Sequence, residues 1–263
     1  EGVIAKLPAP ESPFGLDLRF TQVTDAGLKE LAGLKSLTSL DLQSTQVTGV
    51  GLKELAGLTS LTSLDLYSTQ VTDKALQTLR EIGLLHALSS ASAANGKRPT
   101  RVEDITSLDL RVTRVTDAGL KELAGLKSLT SLSLGYTEVT DAGLKELAGL
   151  KSLTYLDLER TPVTDAGLKE LAGLTSLTYL NLIGTKVTAK GVAELQKALP
   201  NCRIDVYFPG LLEVMCVLCP CLFLFLLLAV SLAVRYRWLF RVRLPLPEKV
   251  VKAWTDAGAE VGW

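Results

Sequence analysis

Val23–Leu34 reads VTDAGLKELAGL, and the same twelve letters return at Val115, Val139 and Val163. Looser copies begin at Val47 (VTGVGLKELAGL), Val71 (VTDKALQTLREI) and Val187 (VTAKGVAELQKA). The starts at 23, 47 and 71 lie 24 residues apart, as do those at 115, 139, 163 and 187. The remaining step, 71 to 115, is 44 residues, one period plus a 20-residue insertion. A fixed period of this size marks a solenoid, whose units bury their apolar faces only against their neighbours.

Two hydrophobic periods alternate inside each unit. In LTSLDLQST (Leu37–Thr45), Leu40 and Leu42 alternate with Ser39, Asp41 and Gln43, which predicts a short strand with one buried face. The following VTGVGLKELAGL carries Leu52, Leu55 and Leu58 at spacing three, a helix with one inward stripe. Thr24, Thr116, Thr140 and Thr164 stand where a helix N-cap is wanted, each followed by an Asp suited to the positive helix end. Gly33, Gly125, Gly149 and Gly173 fall near the helix C-terminus, where a left-handed residue is expected.

The pattern L-x-x-L-x-L-x-x-T resembles the leucine-rich repeat, in the longer ribonuclease-inhibitor-like form with a convex helix. Thr21, Thr45, Thr69, Thr113, Thr137, Thr161 and Thr185 occupy the place where that family usually carries Asn or Cys. Their hydroxyls are expected to bond loop backbone that burial would otherwise leave unpaired. The wording VTDAGLKELAGLxxLTxLDL further resembles planctomycete-type bacterial leucine-rich-repeat proteins. The resemblance implies an α/β fold, a parallel concave sheet lined by convex helices, with partner binding and no catalysis. Strands are expected at Leu16–Leu18, Leu40–Leu42, Leu64–Leu66, Leu108–Leu110, Leu132–Leu134, Leu156–Leu158, Leu180–Leu182 and Ile204–Val206. The organisation expected is a lead-in (1–13), a solenoid (14–208) with an insertion near 86–104, a transmembrane helix (211–235) and a cytoplasmic tail (236–263).

The alternation also names the residues that one continuous concave sheet would point outward. Asp17, Asp41, Asp65, Asp109 and Asp157 make an acidic column whose mutual repulsion a basic partner would relieve, unless Asp is only the repeat's duplicated default, screened by water. The next column varies: Arg19, Gln43, Tyr67, Arg111, Gly135, Glu159 and Ile183. Variation on a constant scaffold suits recognition, and drift on a tolerant surface gives the same picture. Tyr155 and Tyr179, in the column before the Asp residues, are favoured interface anchors. The partner-binding candidates are therefore Asp41, Asp65, Tyr67, Asp109, Arg111, Tyr155, Asp157, Glu159, Tyr179 and Asn181. In the insertion, Leu76, Leu79, Ile82 and Leu85 predict an extended helix, followed by a mobile loop with Lys97, Arg98 and Arg101. That loop is either a docking element or a seam between two blocks of repeats.

Residues 214–234, VMCVLCPCLFLFLLLAVSLAV, carry no charge and as a helix would span about 32 Å, the thickness of a bilayer core. Tyr207, Phe208, Tyr236 and Trp238 flank the run, and Arg235, Arg237, Arg241 and Arg243 crowd its far side. The positive-inside rule then places the C-terminus in the cytoplasm and the solenoid outside. The closing stretch is expected to open a further module that the chain cuts short.

Lys and Arg total 28, as do Asp and Glu, with 22 against 24 in residues 1–210, so the charge gives no reason to expect nucleic acid. Cys216, Cys219 and Cys221 lie inside the apolar run, where thiols act as small hydrophobes, and the only histidine is His86. No metal or cofactor is expected, and no GxSxG, HExxH, P-loop or dinucleotide fingerprint is present. The expectation is a membrane-anchored, non-catalytic protein that binds a protein or peptide on its concave face. Its rivals are a cytosolic-facing adaptor (substrate-presenting or effector-like) and the sensor portion of a longer signalling enzyme.

Overall fold

A computed structural model of the chain describes residues 10–207, apart from 68 and 70. The chain rises through short strands and returns through short helices. The strands are β1 (Phe14–Asp17), β2 (Leu37–Asp41), β3 (Ser63–Asp65), β4 (Ala91–Ser92), β5 (Ser107–Asp109), β6 (Ser131–Ser133), β7 (Tyr155–Asp157), β8 (Tyr179–Asn181) and β9 (Arg203–Asp205). The helices are α1 (Asp25–Leu28), α2 (Asp73–Glu81), α3 (Asp117–Leu123), α4 (Asp141–Leu147), α5 (Asp165–Leu171) and α6 (Ala189–Ala198). Six of the repeat strands lie one residue before their expected places, and β1 and β2 begin two and three residues early. In the second unit Gly51–Leu55 forms a tighter 3-10 turn instead of an α-helix.

Two side-chain ladders join each unit to the next and a third closes each unit's own corner, and each uses a repeated letter. The carboxylate of Asp117 accepts from the Thr140 N–H (2.7 Å) and hydroxyl (2.6 Å), and Asp141 treats Thr164 likewise. The first-turn aspartates thus bridge units as well as facing a helix dipole. Thr130, Thr154 and Thr178 each pass a hydroxyl to the carbonyl of the threonine 24 residues earlier, at 2.9 to 3.0 Å. The seven threonines at the family's Asn or Cys place donate to the leucine carbonyl three residues back, for example Thr137 to Leu134 at 2.6 Å. Between the sheet and the helices the leucines form one core, with Leu40, Leu64, Leu108, Leu132, Leu156 and Leu180 wholly buried.

Gly33, Gly125, Gly149 and Gly173 are not left-handed; the positive-φ glycines among the described residues are Gly83, Gly96 and Gly184. The repeated glycine instead leaves room for a cation from the preceding unit. Lys151 Nζ donates to the Gly173 carbonyl at 2.9 Å, and a Cβ on Gly149 would stand 2.8 Å from Lys127 Nζ. The left-handed position lies elsewhere, three residues after the strand-end residues Asp17, Asp41, Asp109, Ser133 and Asp157: Phe20, Ser44, Val112, Tyr136 and Arg160 all have φ between 51° and 59°.

The concave sheet is not continuous. It divides into β1-β2-β3 and β4-β5-β6-β7-β8-β9. The insertion supplies the division, and it folds against the sheet instead of forming a mobile loop. Helix α2 ends before Gly83 (φ 75°), and the chain turns through Leu85–Ala87 to place Leu88 beside Leu64 in a parallel bridge. It then reverses, Ala91 N–H bonding the Leu88 carbonyl at 2.9 Å, and descends as β4 antiparallel to β5. Arg98, expected on a protruding loop, turns back to the carbonyls of Leu88 and Ser89 (3.0 Å each). Two short chain segments therefore enter the sheet between β3 and β5. The helix layer carries no such interruption: Arg114 N–H bonds the Val71 carbonyl at 3.1 Å, as Glu138 bonds Val115 at 3.2 Å.

Among the described residues no helix is long and apolar enough to cross a membrane. The expected span at 214–234 and the tail after it lie outside the described residues.

Candidate functional site

The acidic column is a set of turn anchors before it is a charge pattern. Asp41 Oδ1 accepts the Gln43 N–H (3.0 Å), Asp65 that of Tyr67 (2.8 Å), Asp109 that of Arg111 (3.0 Å) and Asp157 that of Glu159 (3.0 Å). Asn181 does the same for Ile183 at 3.0 Å, so the task needs a side-chain acceptor and no charge. Each bond closes the corner that leads into the left-handed residue. Ion pairs offset the repulsion expected along the column. Arg19 bridges Asp17 (2.7 Å) and Asp41 (3.3 Å), and Arg111 grips Asp109 at 2.6 Å. The Arg19 guanidinium holds Asp17 below the usual carboxylate range. Burial alone would raise Asp109, but its bonds to the Arg111 side chain and N–H together hold it low.

Two candidate residues are not available to a partner. Asp157 is 3% exposed and Asn181 is 8% exposed, each folded into its own turn. Tyr155 and Tyr179, expected to point outward, are half-buried and stacked on one another, with ring centroids 5.1 Å apart and planes 8° apart. The Tyr179 hydroxyl donates to Asp205 Oδ2 at 2.7 Å, and the Arg203 guanidinium lies 5.8 Å from the ring centroid. These tyrosines close the sheet toward β9.

The remaining candidates converge at the break in the sheet. Asp65, Tyr67, Asp109, Arg111 and Glu159 all line a cleft of about 470 Å³, whose floor includes Leu88, Ser89 and Ser90. Asp41 lies apart, held by Arg19. A solenoid of uniform units is expected to offer surface without a cleft, and the insertion overturns that. Beyond Leu64 and Leu108 the inserted segments stop, while the corners of both flanking units continue. Those corners are left facing each other across open space.

Exposed apolar side chains rim the cleft: Tyr67 is 68% exposed, Val112 76% and Tyr136 47%. The Tyr136 hydroxyl donates to Glu159 Oε1 at 2.8 Å, and this bond, with some loss of solvation, raises the phenol above its ordinary pKa. Val112, Tyr136, Ser89 and Ser90 were not candidates from sequence. One signal for the serines was present: Leu88 stands 24 residues after Leu64, so the strand register runs unbroken into the insertion and Ser89–Ser90 lie where a corner begins.

Nothing here assembles a metal centre: among the described residues no group of three His, Cys, Asp or Glu is placed to hold an ion. His86 is buried, its Nδ1 2.9 Å from the Gly83 carbonyl inside the insertion. Cys202 is buried, and burial pushes its thiol up to about 11. Cys216, Cys219 and Cys221 lie outside the described residues.

The comparison with known families agrees with this architecture. The family described as Leucine rich repeat matches residues 103–163, and a second one of that description matches residues 16–32, 33–56 and 57–79. These stretches of the chain are leucine-rich repeats. Such repeats are commonly protein-interaction modules. The leucine-rich-repeat units also resemble solved structures. One is internalin C2 of Listeria monocytogenes (25% identity, 73% of this chain and 80% of that one, TM-score 0.45). Another is a second Listeria monocytogenes internalin (22% identity, 72% of this chain and 52% of that one, TM-score 0.43). A third is a leucine-rich-repeat protein of Leptospira interrogans (24% identity, 72% of this chain and 59% of that one, TM-score 0.38). No curated protein matches the chain.

Proposed function

We propose that this is a membrane-anchored protein whose repeats hold a protein or peptide partner on the sheet face, without catalysis. One observation carries the binding part. The column that follows the acidic column changes from Arg19 through Gln43, Tyr67, Arg111, Gly135 and Glu159 to Ile183, while the turn anchors beside Gln43, Tyr67, Arg111, Glu159 and Ile183 repeat. A fixed backbone carrying different side chains at regular intervals reads a partner at several points, with little ordering cost on its own side. The ribonuclease-inhibitor-like form and the resemblance to planctomycete-type bacterial proteins support the reading from sequence.

The anchoring part rests on the uncharged run 214–234 and the arginines that follow it. In this reading the repeats stand outside the cytoplasm and the tail 236–263 inside.

Protease protection in intact cells and in opened spheroplasts tests the topology. The expected result is cleavage of the repeats once the outer barrier is breached, with the tail still protected. Repeats that stay protected until the inner membrane is lysed would put them in the cytoplasm and favour an adaptor. For binding, partners selected on the full chain are re-tested on Tyr67→Ala with Ile183→Arg, and separately on the convex change Lys145→Ala. Loss on the sheet-face variant alone is expected, and loss on the convex variant alone would refute the concave surface.

A further inference from the structure

The break between β3 and β5 interrupts a backbone ladder that continues everywhere else in the sheet. Past the end of each strand the chain goes on bonding its neighbour: Leu18 N–H to the Asp41 carbonyl (2.9 Å), Leu42 to Asp65 (2.9 Å), Leu110 to Ser133 (2.8 Å), Leu134 to Asp157 (2.8 Å), Leu158 to Asn181 (2.9 Å) and Leu182 to Asp205 (2.7 Å). The counterpart across the break is Leu66 N–H to the Asp109 carbonyl. Among the described residues neither group takes any backbone partner. The inserted segments pair the Leu64 carbonyl (Ser89 N–H, 2.8 Å) and the Asp109 N–H (Ser90 carbonyl, 3.1 Å) but reach neither of these two groups, because the chain turns away at Leu88–Ala91. Strand-edge main-chain groups that lack partners are what an added strand completes.

The side chains around that edge have a definite chemistry. The lining holds three carboxylates, Asp65, Asp109 and Glu159, against one cation, Arg111. Arg111 is spent on Asp109. Asp65 and Glu159 have no ion-pair partner among the described residues. Beside them the exposed faces of Tyr67 and Val112 offer apolar contact. The geometry points to an extended peptide segment as the occupant: its main chain donates to the Asp109 carbonyl, just past the end of the β4–β5 pairing, and its Lys or Arg side chains face Asp65 and Glu159 while apolar ones meet Tyr67 and Val112. This deepens the reading of the sheet face as the partner surface and rests on it. Alternation follows from the strand itself, since successive side chains point to opposite sides.

The test uses the full chain and a capped peptide of alternating Lys and Val, labelled for fluorescence anisotropy. Its Glu–Val counterpart and a copy with every main-chain amide N-methylated are the controls. Saturable binding of the Lys–Val peptide is expected, with none for the Glu–Val peptide. N-methylation removes the main-chain donors and is expected to abolish binding. Asp65→Asn with Glu159→Gln is expected to weaken the parent peptide about tenfold or more, because charge-assisted contacts become neutral ones. These changes keep the turn acceptor and the Tyr136 partner; Asn181 already serves in the place of Asp65. The proposal is overturned if the parent peptide does not bind saturably, if the N-methylated copy binds as well, or if the double variant keeps full affinity. Displayed random peptides selected on the full chain separate the two failures. Binders lost on Ile183→Arg but indifferent to the double variant sink the cleft alone, whereas binders indifferent to both sink the sheet-face reading with it.

Discussion

The carboxylate of Asp73 accepts hydrogen bonds from the backbone N–H (2.8 Å) and the hydroxyl (2.6 Å) of Thr116, 43 residues further along the chain. It is the bond that Asp117 makes to Thr140 at a separation of 23. The insertion is thus bypassed on the helix side, and Asp73 joins the two blocks of repeats. Asp73→Ala is expected to cost about 1–3 kcal/mol, since it removes a charged acceptor from a half-buried pair. Native-state hydrogen exchange should then show the β1–β3 block opening apart from the β5–β9 block. Asp141→Ala, inside the regular block, should cost a similar amount without that separation. A single cooperative opening in Asp73→Ala would show that the sheet side and not this bond couples the blocks.

Gly143 tests the same ladder from its other side. A Cβ there would lie 2.3 Å from Asp117 Oδ1, because the carboxylate reaching Thr140 passes over the glycine. Gly143→Ala should destabilise by about 1–3 kcal/mol through this overlap. Gly27, in the first unit, has no such carboxylate above it, and a Cβ would meet only Val23 Cγ1 at 3.3 Å. There the helix preference for alanine should prevail, adding up to about 1 kcal/mol. Equal losses in both, by urea denaturation, would rule out the carboxylate as the reason for the repeated glycine.

Val112 sits in the left-handed region (φ 58°) with its side chain in solvent and its N–H bonded to the Gly135 carbonyl at 3.0 Å. That conformation costs an ordinary residue roughly 1–2 kcal/mol, and a β-branched one is worse suited still. Val112→Asn should therefore raise the melting temperature, with a gain of about 1 kcal/mol. An unchanged or lowered melting temperature would mean that the corner does not hold this conformation in solution.

Tyr179 carries the pH prediction. Its bond to Asp205, with burial and the negative charge adding to it, pushes the phenol up to about 12. The folded state thus favours the protonated form, so the stabilisation is complete below the ordinary tyrosine pKa near 10 and is lost as pH rises through the folded value. Alkaline unfolding should accordingly set in between about pH 10 and 12. Spectrophotometric titration should show a late-titrating tyrosine that disappears in Tyr179→Phe. If the late phase survives that substitution, the Asp205 bond is not its cause.

The sequence carried the unit, the strand and helix order, and the threonine places, because each is enforced by a period that neighbours must share. It carried less about what the repeated polar letters touch. Asp25 and its equivalents look like local helix-end residues, and only stacking shows that they bond threonines one unit on. Asp157 looks outward by alternation, yet it is buried, its Oδ1 held by the Glu159 N–H. The largest miss was the insertion, whose serines, alanines and basic residues resemble a loop by composition. The register clue was the spacing of Leu88 from Leu64, which composition hides. The cleft follows from that register and from where the chain turns back, and the turn is a tertiary event with no local signal.

Strands in a sheet lie about 4.7–4.9 Å apart, whereas packed helices need about 8–10 Å. Stacked units of one strand and one helix must therefore bend toward the sheet. Between β3 and β5 the sheet gains the width of two chain segments, about 10 Å, and the helix layer gains none. The spacing mismatch that calls for a bend is therefore absent at that joint and present within the block on either side of it. The strand spacing is thus regular within each block and breaks only at the joint.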